Sequence, residues 1–131
     1  MKQNNSDWSK RLVNLGILKS SNLIKSFSTV KREDFIPSEY IEYAYIDSPI
    51  EIGHGQTNSQ PSLVASMLEL LSPKLGHSIL DVGCGSGWTT ALLTTSVGPK
   101  GKVIGTERIP SLVNFAKNNL KKYKYKNVEI K

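Results

Sequence analysis

The spacing of apolar residues predicts short helices in the first third of the chain. In "DWSKRLVNLGIL" the apolar residues Trp8, Leu12 and Leu15 recur at helical intervals, and Asp7 is a candidate N-cap. The stretch "SNLIKSFSTV" repeats this pattern, and "SEYIEYAY" offers one or two further helical turns. Between them, "KREDFIP" ends in a residue before proline, which favours extended backbone. We therefore expect a helical N-terminal segment.

The stretch "SQPSLVASMLELL" predicts a longer helix. Ser59 or Gln60 can cap it, and the proline that follows suits its first turn. Its apolar stripe consists of Leu63, Met67, Leu70 and Leu71.

After His77 the pattern changes to short apolar runs that alternate with helical stretches. "SILDVG", "GKVIGTE" and "NVEIK" predict strands, while "WTTALLTTSV" and "IPSLVNFAKNNLKK" predict helices. The order strand, helix, strand, helix, strand is typical of right-handed crossovers and a parallel sheet. The predicted fold class is therefore α/β with a helical N-terminal extension.

A polar stretch, "IGHGQTNSQP", separates the two patterns. Glycine and proline weaken helices and strands, so we expect a loop and not the interior of an element. Its small polar residues leave open whether the loop only connects two elements or also holds a ligand.

Length and composition fit one modest domain of 131 residues, 38% of them hydrophobic. No apolar run approaches the roughly 18 to 20 residues that cross a bilayer, and "MKQNNSDWSK" has no apolar core of a secretory signal. A cytoplasmic location is the default expectation. The single cysteine, Cys84, excludes an internal disulfide, and His54 and His77 stand apart from other metal ligands, so we expect no metal site.

The net charge of +6 lies entirely in residues 52–131, where ten Lys or Arg face four Asp or Glu. Much of the excess falls in "KNNLKKYKYKNVEIK". Lysines interleaved with tyrosines would suit RNA or an acidic substrate, and equally a solvated helix end. We favour the solvated helix end, because lysine lacks the bidentate fork with which arginine reads bases. Nucleic acid is therefore not the expected partner.

The stretch "LDVGCGSGW" places a glycine turn where the first predicted strand meets its helix. Gly83, Gly85 and Gly87 form a G-x-G-x-G pattern, which permits a sharp turn and close approach of a ligand. Open α/β sheets bind nucleotides at the carboxyl ends of such strands. The spacing differs from the dinucleotide G-x-G-x-x-G, which counts against NAD.

An acidic residue, Glu107, ends the second predicted strand, twenty residues after Gly87. A carboxylate there can accept both hydroxyls of an adenosine ribose, or it can simply cap the next helix or face solvent. Together, the turn and the acid favour a nucleoside-bearing cofactor. S-adenosylmethionine fits best, because it carries no pyrophosphate and the chain has no G-K-[ST] motif. Asp81 can orient the turn, reach the methionine ammonium through water, or be purely structural.

The run "REDFIPSEYIEYAYIDSPIEIGHGQTNSQPSLVASMLELL", with "ILDVGCGSGWTTALL" and "GKVIGTERIPSLVNFAKNNL", resembles the N-terminal half of the protein-L-isoaspartate O-methyltransferase family. The resemblance runs from about Leu12 to Lys131, and the "IGHGQT-x-S-x-P" block is its most specific part. It implies a Rossmann-like S-adenosylmethionine-dependent methyltransferase fold with an incomplete parallel sheet. Residues 1–60 would then form the helical segment and the substrate and cofactor loop, and residues 61–131 the first half of the cofactor domain, in one structural unit.

The resemblance also implies a protein-repair reaction. Family members use S-adenosylmethionine to methylate the α-carboxylate of L-isoaspartyl residues, so damaged proteins or peptides are the expected partners. The T-x-S hydroxyls of the family correspond to Thr57 and Ser59, the predicted catalytic residues. The predicted cofactor-binding residues are Gln56, Asp81, Gly83, Cys84, Gly85, Gly87, Glu107, Arg108 and Ile109.

Two positions depart from the family pattern. Asn58 stands where Ile is common, and Ser62 stands where an aromatic residue or His often follows the proline, so we expect altered substrate fit or loop packing. Family members also continue past the third strand, which would leave one edge of the first strand unpaired here and open to self-association. We accordingly expect a fragment, a short form completed by self-association or a degenerate relative, with weak or no activity alone. A methyltransferase acting on another substrate, such as RNA, and a non-catalytic cofactor-binding or interaction protein are the alternatives.

Overall fold

The computed structural model describes residues 4–131. Residues 1–3, the start of the N-terminal stretch that shows no secretory-signal pattern, lie outside the described residues. The chain starts with helices α1 (Asn5–Asn14) and α2 (Ser21–Thr29), followed by 3₁₀ turns at Arg32–Phe35 and Ser38–Tyr43. The predicted helical N-terminal segment is confirmed.

The cap of α1 differs from the prediction. Asn4, and not Asp7, caps the helix, because the Asn4 side chain accepts a hydrogen bond from the Asp7 N–H at 3.0 Å. Trp8 and Leu12 are buried, whereas Leu15 lies beyond the last helical residue and is exposed.

The polar stretch forms a β-hairpin followed by a helix. Strands β1 (Ile50–Gly53) and β2 (Gln56–Asn58) pair antiparallel, and helix α3 (Pro61–Leu71) follows. The expectation of a loop without regular structure is therefore wrong for residues 52–53 and 56–58. The glycines do not interrupt a strand, because His54 and Gly55 form the two-residue turn, both with the positive φ that a type I′ turn requires.

The second half is an open parallel sheet with two crossover helices. Its strands β3 (Ser78–Val82), β4 (Lys102–Thr106) and β5 (Val128–Ile130) lie in the order β3-β4-β5, linked by α4 (Trp88–Val97) and α5 (Pro110–Leu120). The predicted α/β fold with a parallel sheet is confirmed. The carboxyl ends of all three strands lie along one edge of the sheet, where such folds place ligands.

The main core is centred on α4. Eight of its ten residues are buried, because one side packs on the sheet and the other on α2. Phe27 of α2 meets Trp88 of α4 edge to face, with ring centroids 5.8 Å apart. Each such fully buried apolar side chain stabilises the fold by roughly 1.5 to 3 kcal/mol. Through α2 and α4, the N-terminal helices therefore pack directly on the α/β half of the chain.

Helix α3 and strand β3 both carry exposed apolar side chains. The predicted stripe of α3 does not enter the core; Val64, Ala65 and Leu68, on the other side of the helix, do so. The exposed apolar side chains are Leu63, Met67, Leu70 and Leu71 on α3, and Leu80 and Val82 on β3. In the part of the chain that the structure describes, β3 pairs only with β4, which confirms the predicted unpaired edge of the first strand.

The basic C-terminal segment separates its lysines from its tyrosines. Tyr123 stacks between Phe35 and Tyr125, with centroid distances of 5.7 Å and 5.5 Å, and its hydroxyl donates to Asp34. The neighbouring Lys121, Lys122, Lys124 and Lys126 are exposed. The tyrosines therefore belong to the packing of the N-terminal segment on α5. Within residues 4–131, no helix combines the length and apolar character that a membrane crossing requires.

Candidate cofactor and substrate site

The glycine turn between β3 and α4 is built as a tight, backbone-lined cradle. Gly83, Gly85 and Gly87 have φ values of +75°, +55° and +93°, which side chains with a Cβ rarely adopt. The N–H groups of Gly83 and Cys84 both donate to the Thr106 carbonyl, at 2.8 Å and 2.9 Å. The turn is therefore fixed to the end of β4.

Two elements approach this turn so closely that a side chain at Gly85 or Gly87 would have to displace a neighbouring atom by a few tenths of an ångström. A Cβ on Gly85 would lie 3.1 Å from Ile52 Cδ1 of the hairpin, and a Cβ on Gly87 would lie 3.2 Å from Ala116 Cβ of α5. The hairpin thus lies against one side of the turn and α5 against the other.

Glu107 follows β4 and connects the turn to α5. Its Oε2 accepts from the Gly85 N–H at 3.1 Å, and its Oε1 accepts from the Ile109 N–H at 3.1 Å. Because Ile109 is the N-cap residue of α5, the bond to its N–H gives Glu107 the helix-capping role that was one of its predicted alternatives. Each carboxylate oxygen has a second lone-pair direction, so the group can still accept bonds from a ligand.

A cleft of about 490 Å³ opens between the glycine turn, the end of β4 and the hairpin. Its lining residues are Gln56, Thr57, Val82, Gly83, Gly85, Thr106, Glu107, Arg108 and Lys131. Six of them belong to the predicted site, from Gln56 to Arg108. Val82, Thr106 and Lys131 were missed, although all three end or follow parallel strands, which is the signal that could have found them.

Three of the predicted cofactor residues act behind the cleft wall. Asp81 Oδ2 accepts from Thr90 Oγ1 at 2.8 Å, and burial raises the pKa of Asp81. Burial and the neighbouring carboxylates Asp81 and Glu107 raise the pKa of Cys84 to about 11, so its thiol stays neutral at pH 7. Gly87 packs on α5 and does not line the cleft.

The two predicted catalytic residues lie on the hairpin arm and just after it. Thr57 of β2 is exposed and lines the cleft, whereas Ser59 is also exposed but is not among the residues that line it. Gln60, one of the two predicted residues, is the N-cap of α3, but within residues 4–131 neither its side chain nor that of Ser59 makes a cap hydrogen bond. The Ser59 hydroxyl is therefore not engaged by its own helix.

A distant carboxylate caps α3 instead. The Ser62 N–H donates to Asp47 Oδ1 at 2.9 Å, and Pro61 has no N–H to offer. Burial alone would raise the pKa of Asp47, but the hydrogen bonds from Ser62 and Gln60 and the nearby Arg32 outweigh it and lower the pKa. The first two amides of α3 are thus not available to a substrate anion.

The turn of the hairpin is attached to α5. His54, with φ of +55°, places its Nε2 atom 2.6 Å from Ser111 Oγ in the first turn of that helix. This contact gives His54 a structural role that its sequence position did not indicate. Among the described residues, no cluster of three or more His, Cys, Asp or Glu could hold a metal ion.

Chemically, the cleft offers backbone amides, one carboxylate at its base, and an amide and a hydroxyl from β2. Among residues 4–131, the cleft combines no nucleophile, base and orienting acid in one relay: Cys84 is buried with a raised pKa, and His54 is hydrogen-bonded to Ser111. Such a site can hold and orient ligands that carry their own reactive groups.

Comparison with known proteins agrees with this geometry. The sequence model of the family described as protein-L-isoaspartate(D-aspartate) O-methyltransferase matches residues 3–131. Protein-L-isoaspartate O-methyltransferases of Methanopyrus kandleri and Methanococcus aeolicus are 47% and 45% identical to the chain, over 88% and 92% of its length. The chain spans about half the length of these curated relatives, 51% and 56%.

Solved structures show the same likeness. A protein-L-isoaspartate O-methyltransferase of Plasmodium falciparum, in complex with S-adenosyl-L-homocysteine, has a TM-score of 0.85 and 31% identity, covering 98% of this chain and 62% of its own. A second protein-L-isoaspartate O-methyltransferase has a TM-score of 0.86 and 29% identity, covering 97% of this chain and 41% of its own. By its sequence and its fold, the chain belongs to the protein-L-isoaspartate O-methyltransferase family.

Proposed function

We propose that this chain forms the cofactor-binding part of a protein-L-isoaspartate O-methyltransferase, a repair enzyme that methylates the α-carboxylate of L-isoaspartyl residues. The observation that carries the proposal is the position of Glu107, which holds the amides of Gly85 and Ile109 at the base of a cleft. The hairpin residues Gln56 and Thr57 form the opposite wall of this cleft.

The residues present fit S-adenosylmethionine. A Cβ on Gly83 would meet no atom within 4 Å, so this wall of the cleft is open to a ligand, and the free lone pairs of Glu107 suit ribose hydroxyls. When bound, the cofactor supplies an electrophilic methyl group. Gly83, Gly85, Glu107 and Arg108 are the residues that we propose to hold it.

The chain has to position the substrate and need not activate it. A substrate carboxylate is already ionised at neutral pH, so no general base is required. Orientation of reactants can supply roughly 7 to 11 kcal/mol in favourable cases. We assign this orientation to the Thr57 hydroxyl, which lines the cleft, and to the Ser59 hydroxyl, which its own helix does not use.

Partners and location follow the same proposal. Proteins or peptides with L-isoaspartyl residues are the proposed substrates, and nucleic acid is not a proposed partner, because the basic segment supplies lysines without the bidentate fork that reads bases. The cytoplasmic location and self-association through the β3 edge stay predictions. So does weak or absent turnover by the 131-residue chain, which covers about half of its relatives.

Calorimetry with S-adenosylhomocysteine and a labelled methyl-transfer assay test the proposal together. We expect saturable binding below about 1 mM, equivalent to about 4 kcal/mol. Any transfer by this chain should be slow and restricted to an isoaspartyl peptide, with none to the same peptide containing normal aspartate. Thr57→Ala and Ser59→Ala should reduce transfer at least about tenfold. Ser28→Ala is the matched control, because Ser28 is half-buried in α2 and, among residues 4–131, its hydroxyl donates only to the Lys25 carbonyl.

The outcomes separate the alternatives. Absence of cofactor binding at millimolar concentration would reject the proposal and leave an interaction protein. Binding with equal transfer to both peptides would reject isoaspartyl specificity while keeping the methyltransferase class.

A further inference from the structure

Arg32 is a fully buried cation that makes no direct ion pair with any residue between 4 and 131. It is 0% exposed and lies in the first 3₁₀ turn, with its guanidinium 5.4 Å from the centre of the Trp88 ring. Burial lowers its pKa to about 10, partly opposed by Asp47, so the group remains protonated at neutral pH. Such a charge is tolerated in an interior only when its N–H groups are satisfied.

The acceptors of Arg32 lie on two separate arms of the chain. On the first arm, residues 44–48, Nη1 donates to the carbonyls of residues 44 and 46, and Nη2 donates to the carbonyl of Ser48 at 2.8 Å. On the second arm, Nη2 donates to the carbonyls of Asn58 and Ser59, at 3.2 Å and 3.1 Å. One guanidinium therefore joins the arm that caps α3 to the arm that carries the T-x-S residues.

Asn58 completes this arrangement and extends it to the cofactor turn. Its Oδ1 accepts from Arg32 Nε at 2.9 Å, and its Nδ2 lies 3.4 Å from Ser86 Oγ. Ser86 is buried in the glycine turn, where its carbonyl also accepts from Asn119 of α5 at 3.0 Å. A continuous set of buried polar contacts thus runs from Arg32 to the turn.

We infer that Arg32 and Asn58 are positioning residues, which fix the Thr57–Ser59 segment relative to the glycine turn. The inference concerns the site of the proposed function and rests on that proposal for the roles of Thr57 and Ser59. The Asn58 side chain gives the Arg32 Nε–H an acceptor and connects it to Ser86 of the glycine turn.

The physical reason is the cost of an unsatisfied buried donor. With Ile at position 58, the Arg32 Nε–H would lose its acceptor and the contact to Ser86 would be lost, while the backbone bonds of Arg32 would remain. Local opening of the two arms then becomes easier without unfolding of the sheet. An aspartate at position 58 would keep the acceptor and add a charge opposite the guanidinium.

Hydrogen–deuterium exchange on the whole chain tests this inference. We expect Asn58→Ile to accelerate amide exchange about tenfold in residues 44–48 and 56–60, with exchange in β3 and β4 unchanged. Asn58→Asp should leave exchange in these arms at or below the wild-type rate. Affinity for S-adenosylhomocysteine should fall about three- to tenfold in Asn58→Ile only, because the binding-competent arrangement is less populated.

Asn22→Ala is the matched control. It removes a partly buried asparagine whose Nδ2 donates to the carbonyls of Pro73 and Ser96, away from the cleft. It should lower the melting temperature without selective exchange in the two arms. Unchanged exchange in Asn58→Ile, or acceleration spread evenly over β3 and β4 as well, would overturn the inference. If the wild-type chain binds no S-adenosylhomocysteine but Asn58→Ile shows the expected exchange pattern, the proposed function is rejected and the positioning role of Arg32 and Asn58 is retained.

Discussion

Substitution of Glu107 separates its structural role from its proposed role in cofactor binding. In Glu107→Gln, one oxygen can still accept from Gly85 or Ile109, but the new amide group presents N–H donors to the other backbone N–H. Hydrogen bonds to charged groups contribute about 1.5 to 3 kcal/mol each. Because Glu107 is only half-buried, we expect the lower limit, a loss of about 1.5 kcal/mol.

Thermal unfolding and calorimetry measure the two effects independently. At about 4 °C per kcal/mol for a domain of this size, the melting temperature should fall by about 6 °C. If the free lone pairs of Glu107 bind ribose hydroxyls, affinity for S-adenosylhomocysteine should also fall about ten- to one hundredfold. Glu129→Gln is the control, because Glu129 is exposed and pairs with Lys102 and Lys131 only at 3.7 Å and 3.5 Å.

Two results would refute this reasoning in different ways. An unchanged melting temperature would show that the carboxylate does not bridge the two amides. A lower melting temperature with wild-type affinity for S-adenosylhomocysteine would show that Glu107 only fixes the turn to α5, and that the ribose is held elsewhere.

Three further outcomes are expected. Burial alone would raise the pKa of Glu69, but hydrogen bonds from Ser20 and Lys19 outweigh it and lower the pKa. Glu69→Gln should therefore destabilise the chain above pH 4.5, and the difference in denaturant midpoint should vanish as the pH falls below the folded pKa. A pH-independent difference would contradict the charge effect. Leu70 is 87% exposed, so Leu70→Glu should change stability by less than about 0.5 kcal/mol while lowering any self-association seen by sedimentation velocity, which undiminished association would disprove. Gly87→Ala, strained at φ +93° and crowded by α5, should cost about 1 to 3 kcal/mol in urea unfolding, and a cost near zero would show that the turn can relax.

Much of the site could be predicted because parallel α/β sheets place their functional residues at strand ends. Gly83, Gly85 and Glu107 were found in this way, and the cleft contains all three. The same rule would also have found Val82 and Thr106, had it been applied to the last residue of each strand. The cap of α3 could not be found from local sequence, because the capping carboxylate lies fourteen residues before the helix, in a loop of its own.

The sequence by itself determined the order of helices and strands, the parallel sheet, the glycine turn and the acid at the end of β4. These features depend on local periodicity and on backbone freedom at single residues, which neighbouring positions reveal. Only the tertiary structure decided which side of α3 is buried, which carboxylate caps it, and how Arg32 and Asn58 hold the T-x-S segment. Those outcomes depend on contacts between residues such as Arg32 and Ser59, 27 positions apart, and no local pattern carries that information.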